Sequence, residues 1–548
     1  MGGAAGKYPR LVAQLSLDGL VSGGAFFLAI VAFNLWGEGL RRFLTESRIN
    51  IGRLFNRYTV AVAVTLVLGL IWVLRSTTPL GVYRGQARLF DARRAMEDIR
   101  VLASPEFEGR ETGTPGAELA AQYIAARMRE IGLFPAGEND TFLQSAPSPR
   151  FHLVEIPRLE ILDRQGDVRE SLVYRQDFVE YADPFQTFGE GEGAVVGLVA
   201  GPDPGTVGAD PFGLSHLVSE YVILVREEDL QRIGTRAAAG MLVVSEDPHI
   251  FGRKLLYVEE HWRSKPIPVM YITPQVAERL LETAGSSLAD LDERAVGLGP
   301  GEAALTAPGV TVHLETQLTM SDGLDERYYD VVGFIPGSGS HMGDQLGQGL
   351  DNQVIMVSAY YDGLGVGPDG TLYPGANDNA SGVAMMLELA RVLKEAPYQP
   401  QKTVVFAAWA GGERSKGLSV RNMMDAKIGF QSLAIEVVIE LSGVGAGDGT
   451  GIALDQKSSF RLIQLFQEAA GRLGVETTTR GRGPHYGMPV EAGFGGRSAL
   501  SAYLSWDGSD RLAHTPGDRV EAIEPETLEQ VGQTTMLVLT VLSREVDY

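Results

Sequence analysis

Several side chains that could bind a metal ion or accept a proton follow apolar segments in the second half of the chain. Carboxylate and imidazole groups are common zinc ligands, and hydrolysis by a metal-bound water also needs a base within reach. The residues that could contribute to such a site are Tyr360, Asp362, Asn377, Asp378, Glu413, Ser442 and His514. Because they are far apart in the sequence, the fold must bring them together.

The elements that must do this alternate between strands and helices. The runs VIMVSAYYD, KTVVFAAWAG and LAIEVVIELSG are typical of buried strands, and SGVAMMLELARVL is typical of a helix. Continuous apolar strands with interleaved helices predict an α/β fold with a mostly parallel sheet covered by helices. In such sheets the ligand site lies at the carboxyl ends of the strands, where the candidate residues are found.

The region before this one has a different character. Helices are predicted at 92–103 and 117–131, and Gly132 should end the second of them. From about residue 141 to 325, short β-branched runs such as EYVILV and GMLVV are broken by Gly and Pro, which indicates a β-rich inserted domain.

Six segments in order resemble the co-catalytic zinc aminopeptidases of metallopeptidase family 28. The resemblance implies a phosphorylase/hydrolase-like zinc-exopeptidase sandwich, with segments 85–140 and 326–548 forming the peptidase-like domain. The stretch from EYVILVREEDL to KPIPVMYIT also resembles a protease-associated domain, which implies that identity for the insert. The six segments are Leu102 to Leu133, SAYYDGLG, YPGANDNASGVA, FAAWAGGE, VIELSGVG and AHTPGD.

Active members of that family hold two zinc ions with two His and three carboxylates, one of which bridges the ions. By the resemblance, Tyr360 replaces a His ligand and Ser442 replaces an Asp ligand. Asn377 stands at the bridging position, with Asp378 beside it. The resemblance therefore implies that a second zinc has lost both of its private ligands, Tyr360 and Ser442 being the degenerate positions.

The family's paired glutamates are also altered. Counted forward from Phe406, Gly412 takes the general-base position and Glu413 the ligand position. A shift of one residue would instead make Glu413 the base and Arg414 the ligand. One carboxylate is lost in either register, whereas His514 is retained.

At most one zinc ion is therefore expected, on Glu413 and His514 with either Asn377 or Asp378 as the third donor. Asp362 and Asp378 would support the ligands in an active relative, or could cap turns here. His514 could equally be a hydrogen-bonded loop histidine. We also expect one of the tyrosines 360 and 361 to donate its hydroxyl to Glu413 or Asp378, because a buried phenol needs a partner.

The N-terminal part predicts a membrane anchor over residues 1–84, with two transmembrane helices at about 19–36 and 58–74. The arginine-rich loop between them favours a cytoplasmic location for that loop. AFNLWGEGLRRFLTES resembles the end of a dipeptide/oligopeptide ABC transporter permease. The resemblance implies a two-pass protein of the cell membrane, with its large C-terminal domain extracytoplasmic.

The composition argues against several classes of function. A net charge of -22 argues against nucleic acid as a partner, and the absence of cysteine excludes disulfides and thiol chemistry. Two hypotheses lead: a non-catalytic peptide-binding or scaffold protein, associated with a peptide ABC transporter, and a zinc-dependent aminopeptidase. As a transporter component, the chain could only be an accessory subunit, since it lacks a phosphate-binding GxxxxGK[ST] loop.

Overall fold

The computed structural model describes residues 61, 63–67, 69, 79–147, 151–180, 188–201, 218–229, 238–252, 254, 267–320, 327–338, 353–397, 399–413, 434–480 and 499–544. The chain divides into two units, Met1–Val82 and Tyr83–Tyr548. The first predicted transmembrane segment lies outside the described residues, and most of the second does too. Among the described residues, no helix combines the length and apolarity needed to cross a bilayer.

Eight α-helices lie in the described part of the chain. Two of them show how the sequence sets their ends: Asp91 caps α2 by accepting a hydrogen bond from the backbone of Arg93, and Gly132 ends α3 in the left-handed conformation. The helices are α1 (Pro79–Ala87), α2 (Ala92–Leu102), α3 (Pro115–Ile131), α4 (Pro274–Glu282), α5 (Leu288–Val296), α6 (Ser381–Lys394), α7 (Phe460–Leu473) and α8 (Pro525–Arg544).

The strands form two large sheets and two small ones. In chain order they are β1 (Phe134–Pro135), β2 (Leu143–Pro147), β3 (Phe151–Leu153), β4 (Arg158–Leu162), β5 (Val168–Ser171), β6 (Phe178–Glu180), β7 (Gly189–Ala200), β8 (Tyr221–Arg226), β9 (Gly240–Val244), β10 (Val269–Ile272), β11 (Ala303–Leu305), β12 (Thr311–Thr316), β13 (Leu318–Met320), β14 (Arg327–Ile335), β15 (Gln353–Tyr360), β16 (Gly365–Val366), β17 (Leu372–Tyr373), β18 (Thr403–Trp409), β19 (Ala434–Leu441), β20 (Gly451–Asp455), β21 (Glu476–Arg480) and β22 (Leu500–Trp506).

The sheet that carries the candidate site has the order β1-β14-β18-β15-β19-β22-β20-β21, with β2 paired to β14. Its four central strands, β18, β15, β19 and β22, are parallel, whereas β14 and β20 run antiparallel to their central neighbours. The sheet is therefore mixed, and not mostly parallel as the apolar runs predicted. Burial on both faces gives a strand a continuous apolar sequence whatever the direction of its neighbour, so the sequence pattern could not reveal the antiparallel flanks.

The main hydrophobic core lies between one face of this sheet and the helices α2, α3, α6, α7 and α8. A smaller cluster on the opposite face contains Met356, Tyr360, Trp409 and Tyr503. Because the central strands are parallel, the residues that follow Tyr360, Trp409, Leu441 and Trp506 all emerge at one edge of the sheet. That edge carries the candidate site.

The inserted region forms its own sheet, with the order β5-β4-β12-β7-β8-β9-β10-β6 and β11 on β7. Helices α4 and α5 pack against it and share a core with Val222, Leu242 and Leu314. The insert is β-rich, as its broken apolar runs indicated. Its relation to a protease-associated domain stays a prediction.

Candidate metal site

Asp378, Glu413 and His514 converge at the carboxyl edge of the sheet. One potential ligand atom from each lies within 4.8 Å of the others. His514 Nε2 is 2.9 Å from a Glu413 carboxylate oxygen and 3.9 Å from Oδ2 of Asp378. Asp378 and Glu413 are buried, and His514 is partly buried. The set offers one imidazole and two carboxylates around one point, which is the donor chemistry that zinc prefers.

Of the two residues considered as a third donor, it is Asp378 whose side chain lies in this cluster. The side-chain amide of Asn377 is used elsewhere: it donates to the carbonyl of Ala446 at 3.1 Å and accepts from the backbone of Gly445 at 2.8 Å. Asn377 therefore ties down the loop after β19, and the geometry favours Asp378 as the donor.

Tyr360 and Ser442 lie on the other side of Asp378. The Tyr360 hydroxyl donates a short hydrogen bond to Oδ1 of Asp378 and lies 3.1 Å from the Ser442 hydroxyl. The expectation that a tyrosine would donate to Glu413 or Asp378 is thus confirmed for Tyr360. Tyr361 instead donates to the carbonyl of Tyr329 at 2.6 Å. In the described residues, a phenol and a hydroxyl stand where the family resemblance implies a histidine and an aspartate.

The position assigned to the general base is occupied by Gly412, which lies against the Tyr360 ring. A Cβ atom added to Gly412 would lie 2.4 Å from both Cβ and Cγ of Tyr360, far inside van der Waals contact. The tyrosine therefore fills the space that a side chain at position 412 would need. The tyrosine at position 360 and the glycine at position 412, both departures from the family pattern, therefore depend on each other for packing.

Asp362 positions the loop that carries Glu413. Its carboxylate accepts hydrogen bonds from the backbone N–H groups of Gly412 and Glu413, at 2.9 and 3.2 Å, and from the Thr112 hydroxyl at 2.8 Å. Asp362 thus supports a candidate ligand through its backbone. The sequence left two roles open for Asp362, capping a turn and supporting a ligand. Its hydrogen bonds to the backbone of Gly412 and Glu413 serve both roles.

Asp518 performs the matching task for Asp378. Its two carboxylate oxygens accept from the backbone N–H groups of Asn377 and Asp378 at 2.6 and 2.9 Å. Sequence reasoning gave Asp518 no role, although it ends the AHTPGD segment that carried part of the family resemblance. Its place in that segment, four residues after His514, was the available signal.

Arg110 was also missed. Its side chain is fully buried, and its guanidinium donates to the carbonyl oxygens of Tyr361, Leu102, Pro374 and Gly375 at 2.5 to 2.8 Å. These four carbonyls belong to three stretches of chain around the site, because Pro374 and Gly375 are adjacent. Burial lowers the pKa of Arg110 to about 10, so the group stays charged near neutral pH.

The insert also contacts the site. The backbone N–H of Lys254 donates to the carbonyl of His514 at 3.1 Å, and its ammonium group lies 3.0 Å from a carboxylate oxygen of Glu111. His514 itself has a positive φ of 61°, which is uncommon for a residue with a side chain. Lys254 therefore helps to hold the candidate ligand in an unusual backbone conformation.

Burial governs the titration of the acidic groups. It raises the pKa of Glu413, an effect opposed by His514, and it raises the pKa of Asp362 to about 6. Burial likewise raises the pKa of Asp518 to about 7. The pKa of Tyr360 is raised well above its ordinary range by burial and by the neighbouring Asp378 carboxylate. Several carboxyl groups are thus crowded in a region of low polarity, and the nearby Arg110 guanidinium offsets only part of the effect of burial on them.

The described residues of the cluster fit one zinc ion. Oε1 of Glu413 is buried and has no hydrogen-bond partner among the described residues, which is a costly arrangement for a carboxylate unless a cation lies beside it. Asp378, Glu413 and His514 would supply three ligands to a single ion. On the other side of Asp378, the described residues present the hydroxyl groups of Tyr360 and Ser442, which are not among the usual zinc ligands.

Comparison with known proteins supports this fold. Residues 343–539 match the family model of Peptidase family M28. Aminopeptidase YwaD of Bacillus subtilis is 29% identical over 200 residues, which cover 35% of this chain and 42% of that protein. A probable zinc metalloprotease of Pyrenophora tritici-repentis is 44% identical over 80 residues, 14% of this chain and 18% of its own length. The chain thus spans less than half of the length of these curated relatives.

Solved structures extend the similarity over most of the chain. The zinc aminopeptidase BSAP from Bacillus subtilis aligns with a TM-score of 0.53 and 18% identity, covering 84% of this chain and 97% of that structure. An aminopeptidase from Aneurinibacillus sp. strain AM-1 aligns with a TM-score of 0.55 and 18% identity, covering 85% and 99%. The chain therefore has the zinc aminopeptidase fold of peptidase family M28.

Proposed function

We propose that this protein binds the N-terminal ends of peptides at a single zinc ion and does not hydrolyse them at the rate of a two-zinc aminopeptidase. The observation that carries the proposal is the division of the site. Asp378, Glu413 and His514 are clustered, whereas Tyr360 and Gly412 stand at the positions that the family resemblance assigns to a ligand of a second ion and to the base.

A zinc ion held by these three residues would supply a Lewis acid that attracts an amine or carbonyl oxygen of a bound peptide. The protein's part is to orient that ion. Asp518 and Asp362 fix the backbone at Asp378 and Glu413, so two of the three donors are held by hydrogen bonds that do not depend on metal. Such outer contacts typically account for a factor of about 10 to 100 in metal affinity.

Hydrolysis requires a proton acceptor beside the attacking water, and loss of a general base lowers rates by about 10²–10⁴-fold. Gly412 offers no such group. Glu413 lies 2.9 Å from His514 within the cluster, which supports its assignment as a ligand and not as the base. The Tyr360 hydroxyl donates a hydrogen bond to Asp378, and its raised pKa keeps the phenol protonated, so it cannot serve as the proton acceptor.

The proposed location is the outer face of a cell membrane, where the two N-terminal apolar segments would anchor the chain beside a peptide ABC transporter. The permease-like stretch at 32–47 and the arginine-rich loop support this part of the proposal. Protease accessibility of the C-terminal domain in intact cells and in opened vesicles would test it. Digestion only after the membrane is opened would contradict the orientation.

The central experiment measures zinc and peptide binding on the same sample. We expect about one zinc per chain by elemental mass spectrometry and zinc-dependent binding of short peptides by calorimetry. No release of aminoacyl-anilides is expected above the rate of a His514→Ala control. Two zinc ions per chain, or no peptide binding with zinc present, would contradict the proposal.

The alternative function is a working aminopeptidase that uses one ion. The burial and clustering of the three donors favour it, because these features are also what a catalytic site needs. Anilide release that stops with a chelator, returns with one equivalent of zinc and is lost in the His514→Ala variant would establish this alternative. It would leave the assignment of the three ligands intact.

A further inference from the structure

A groove runs from the candidate metal site along the end of the sheet that carries β20, β21 and β22. Asp378 and Ser442 line one end of it, and Asp455 and Arg480 line the other. Between them lie residues of β22 and the turn that follows, including Trp506 and Asp507. A peptide whose first residue lay at the metal would direct its first side chain or its following residues into this groove.

Asp455 is the unusual residue of the groove. Its side chain is buried, with only 6% of the residue exposed. One carboxylate oxygen accepts from the backbone of Lys457 at 2.7 Å, whereas Oδ2 is buried and has no hydrogen-bond partner among the described residues. A buried carboxylate oxygen that has left water without a donor is unfavourable, so this atom can accept a hydrogen bond that the described residues do not supply.

Arg480, which lies opposite Asp455 on the neighbouring strand, does not donate a hydrogen bond to this oxygen. Arg480 is paired with Asp455 in the strand register, but its guanidinium contacts Asp507, with N–O distances of 2.7 and 2.9 Å. The arginine is thus already neutralised by another acid. The oxygen on Asp455 is left for a group that enters from outside.

The charges of the groove point to the sign of that group. Among the described residues, four carboxylates and one guanidinium, that of Arg480, line the groove. A zinc ion at the metal site would offset Asp378 but would leave the remaining acidic residues unbalanced. The carboxylates that line the groove are Asp378, Asp455, Asp507 and Asp510.

The shape of the groove suits a long basic side chain. Ala453 and Tyr503 line the groove on the face of the sheet that carries Asp455, whereas the alternating side chains of Leu454 and Leu504 face the main core. Leu454 pairs with Leu504, three residues before Asp507, which at about 3.3 Å per residue places Asp455 roughly 10 Å from the carboxyl end of β22. Lysine and arginine combine an apolar stem with a terminal cation, which matches an apolar passage that ends at a carboxylate.

We infer that the groove selects peptides that begin with lysine or arginine, with Asp455 as the residue that receives the cation. This inference rests on the proposed peptide-binding function and names the class of peptide that the site takes.

The test uses the full-length zinc-loaded protein in detergent and three tripeptides, Lys-Ala-Ala, Arg-Ala-Ala and norleucine-Ala-Ala. Norleucine has the stem of lysine without its charge. We expect both basic peptides to bind at least about tenfold more tightly than the norleucine peptide, because charge-assisted hydrogen bonds to a buried carboxylate are the stronger kind. The Asp455→Asn variant should lose this preference while keeping its affinity for the norleucine peptide.

Asp167→Asn is the matched control, since it removes the same charge from an exposed position in the insert and should keep the full preference. Equal affinity of the wild-type protein for the lysine and norleucine peptides would overturn the inference and leave the proposed function standing. That comparison needs no variant, so it decides the matter even if Asp455→Asn fails to fold. Failure of all three peptides to bind would overturn the proposed function as well.

Discussion

The two halves of the candidate site differ in the side chains that surround Asp378. On one side, Glu413 and His514 present a carboxylate and an imidazole, and Oε1 of Glu413 lacks a hydrogen-bond partner among the described residues. On the other side, Tyr360 and Ser442 close a neutral hydrogen-bonded network against the same aspartate. One half still needs a cation, and the other has been satisfied by side chains. Under the proposed function, the ligands of a second ion would have been lost together with the space that they enclosed.

The largest effect should come from removing a ligand of the retained half. His514→Ala should lower zinc affinity by at least about 100-fold, because loss of outer contacts alone costs about 10 to 100-fold. Competition with a chromogenic zinc chelator would measure the change. Ser442→Ala on the altered side is the matched control and should leave the affinity within about threefold. Equal losses of zinc affinity in the two variants would contradict the proposed difference between the two sides of the site.

A second prediction concerns the packing of the altered half. Gly412→Glu should destabilise the fold by about 3 kcal/mol or more, because a new side chain would overlap the Tyr360 ring and bury a charge. Adding Tyr360→His should recover part of that loss, with a coupling energy of about 1–3 kcal/mol. Urea unfolding of the two single variants and the double variant would measure it. Additive effects would show that positions 360 and 412 do not share their space.

A third prediction uses pH. The folded-state pKa values of Asp362 and Asp518, about 6 and about 7, lie above the ordinary value of 3.8. The folded chain therefore binds protons more tightly than the unfolded chain, and this contribution to stability is complete below about pH 4 and lost as the pH rises through 7. With a chelator present, the free energy of unfolding should be about 4 kcal/mol higher at pH 5 than at pH 8.

Saturating zinc should reduce that pH dependence, since a dication beside the cluster favours ionised carboxyl groups. Urea unfolding at both pH values, with and without zinc, would provide the comparison. If the chelated protein were instead more stable at pH 8, the crowding of these acids would not control how its stability changes with pH.

The smallest effect should come from the insert. Lys254→Met removes the ammonium group that lies between Glu111 and the carbonyl oxygens of Leu364 and Val366. We expect zinc affinity to fall by about tenfold, because the backbone of His514 would be held less firmly. Lys254→Arg should restore most of it. A lowered unfolding temperature with unchanged zinc affinity would mean that the contact serves only the fold.

The sequence was informative about the fold where periodicity and chain order were strong. Gly132 ends α3 as predicted, and the apolar runs form the central strands of the sheet. The antiparallel flanks were not predictable, because β14 has the same apolar run that a parallel strand would have. The expected transmembrane segments and the domain boundaries stay predictions.

For the site, residue types indicated the donors, but spacing alone could not decide between neighbours. Asn377 and Asp378 are adjacent, and which of them faces the cluster depends on the irregular turn Ala376–Ala380 that precedes α6. That turn is fixed by backbone contacts to Asp518, which is distant in sequence. The close packing of Tyr360 on Gly412 could not be predicted from the sequence for the same reason, since β15 and β18 are neighbours only in the folded sheet.

The buried guanidinium of Arg110 bears on the proposed loss of a second metal ion. Because this one cation contacts three stretches of main chain around the site, the surrounding loops have a cross-link that needs no bound ion. A protein with such a brace could lose an ion without collapse, and selection could then act on recognition alone. Under the proposed function, the site would remain as a cavity that binds peptides.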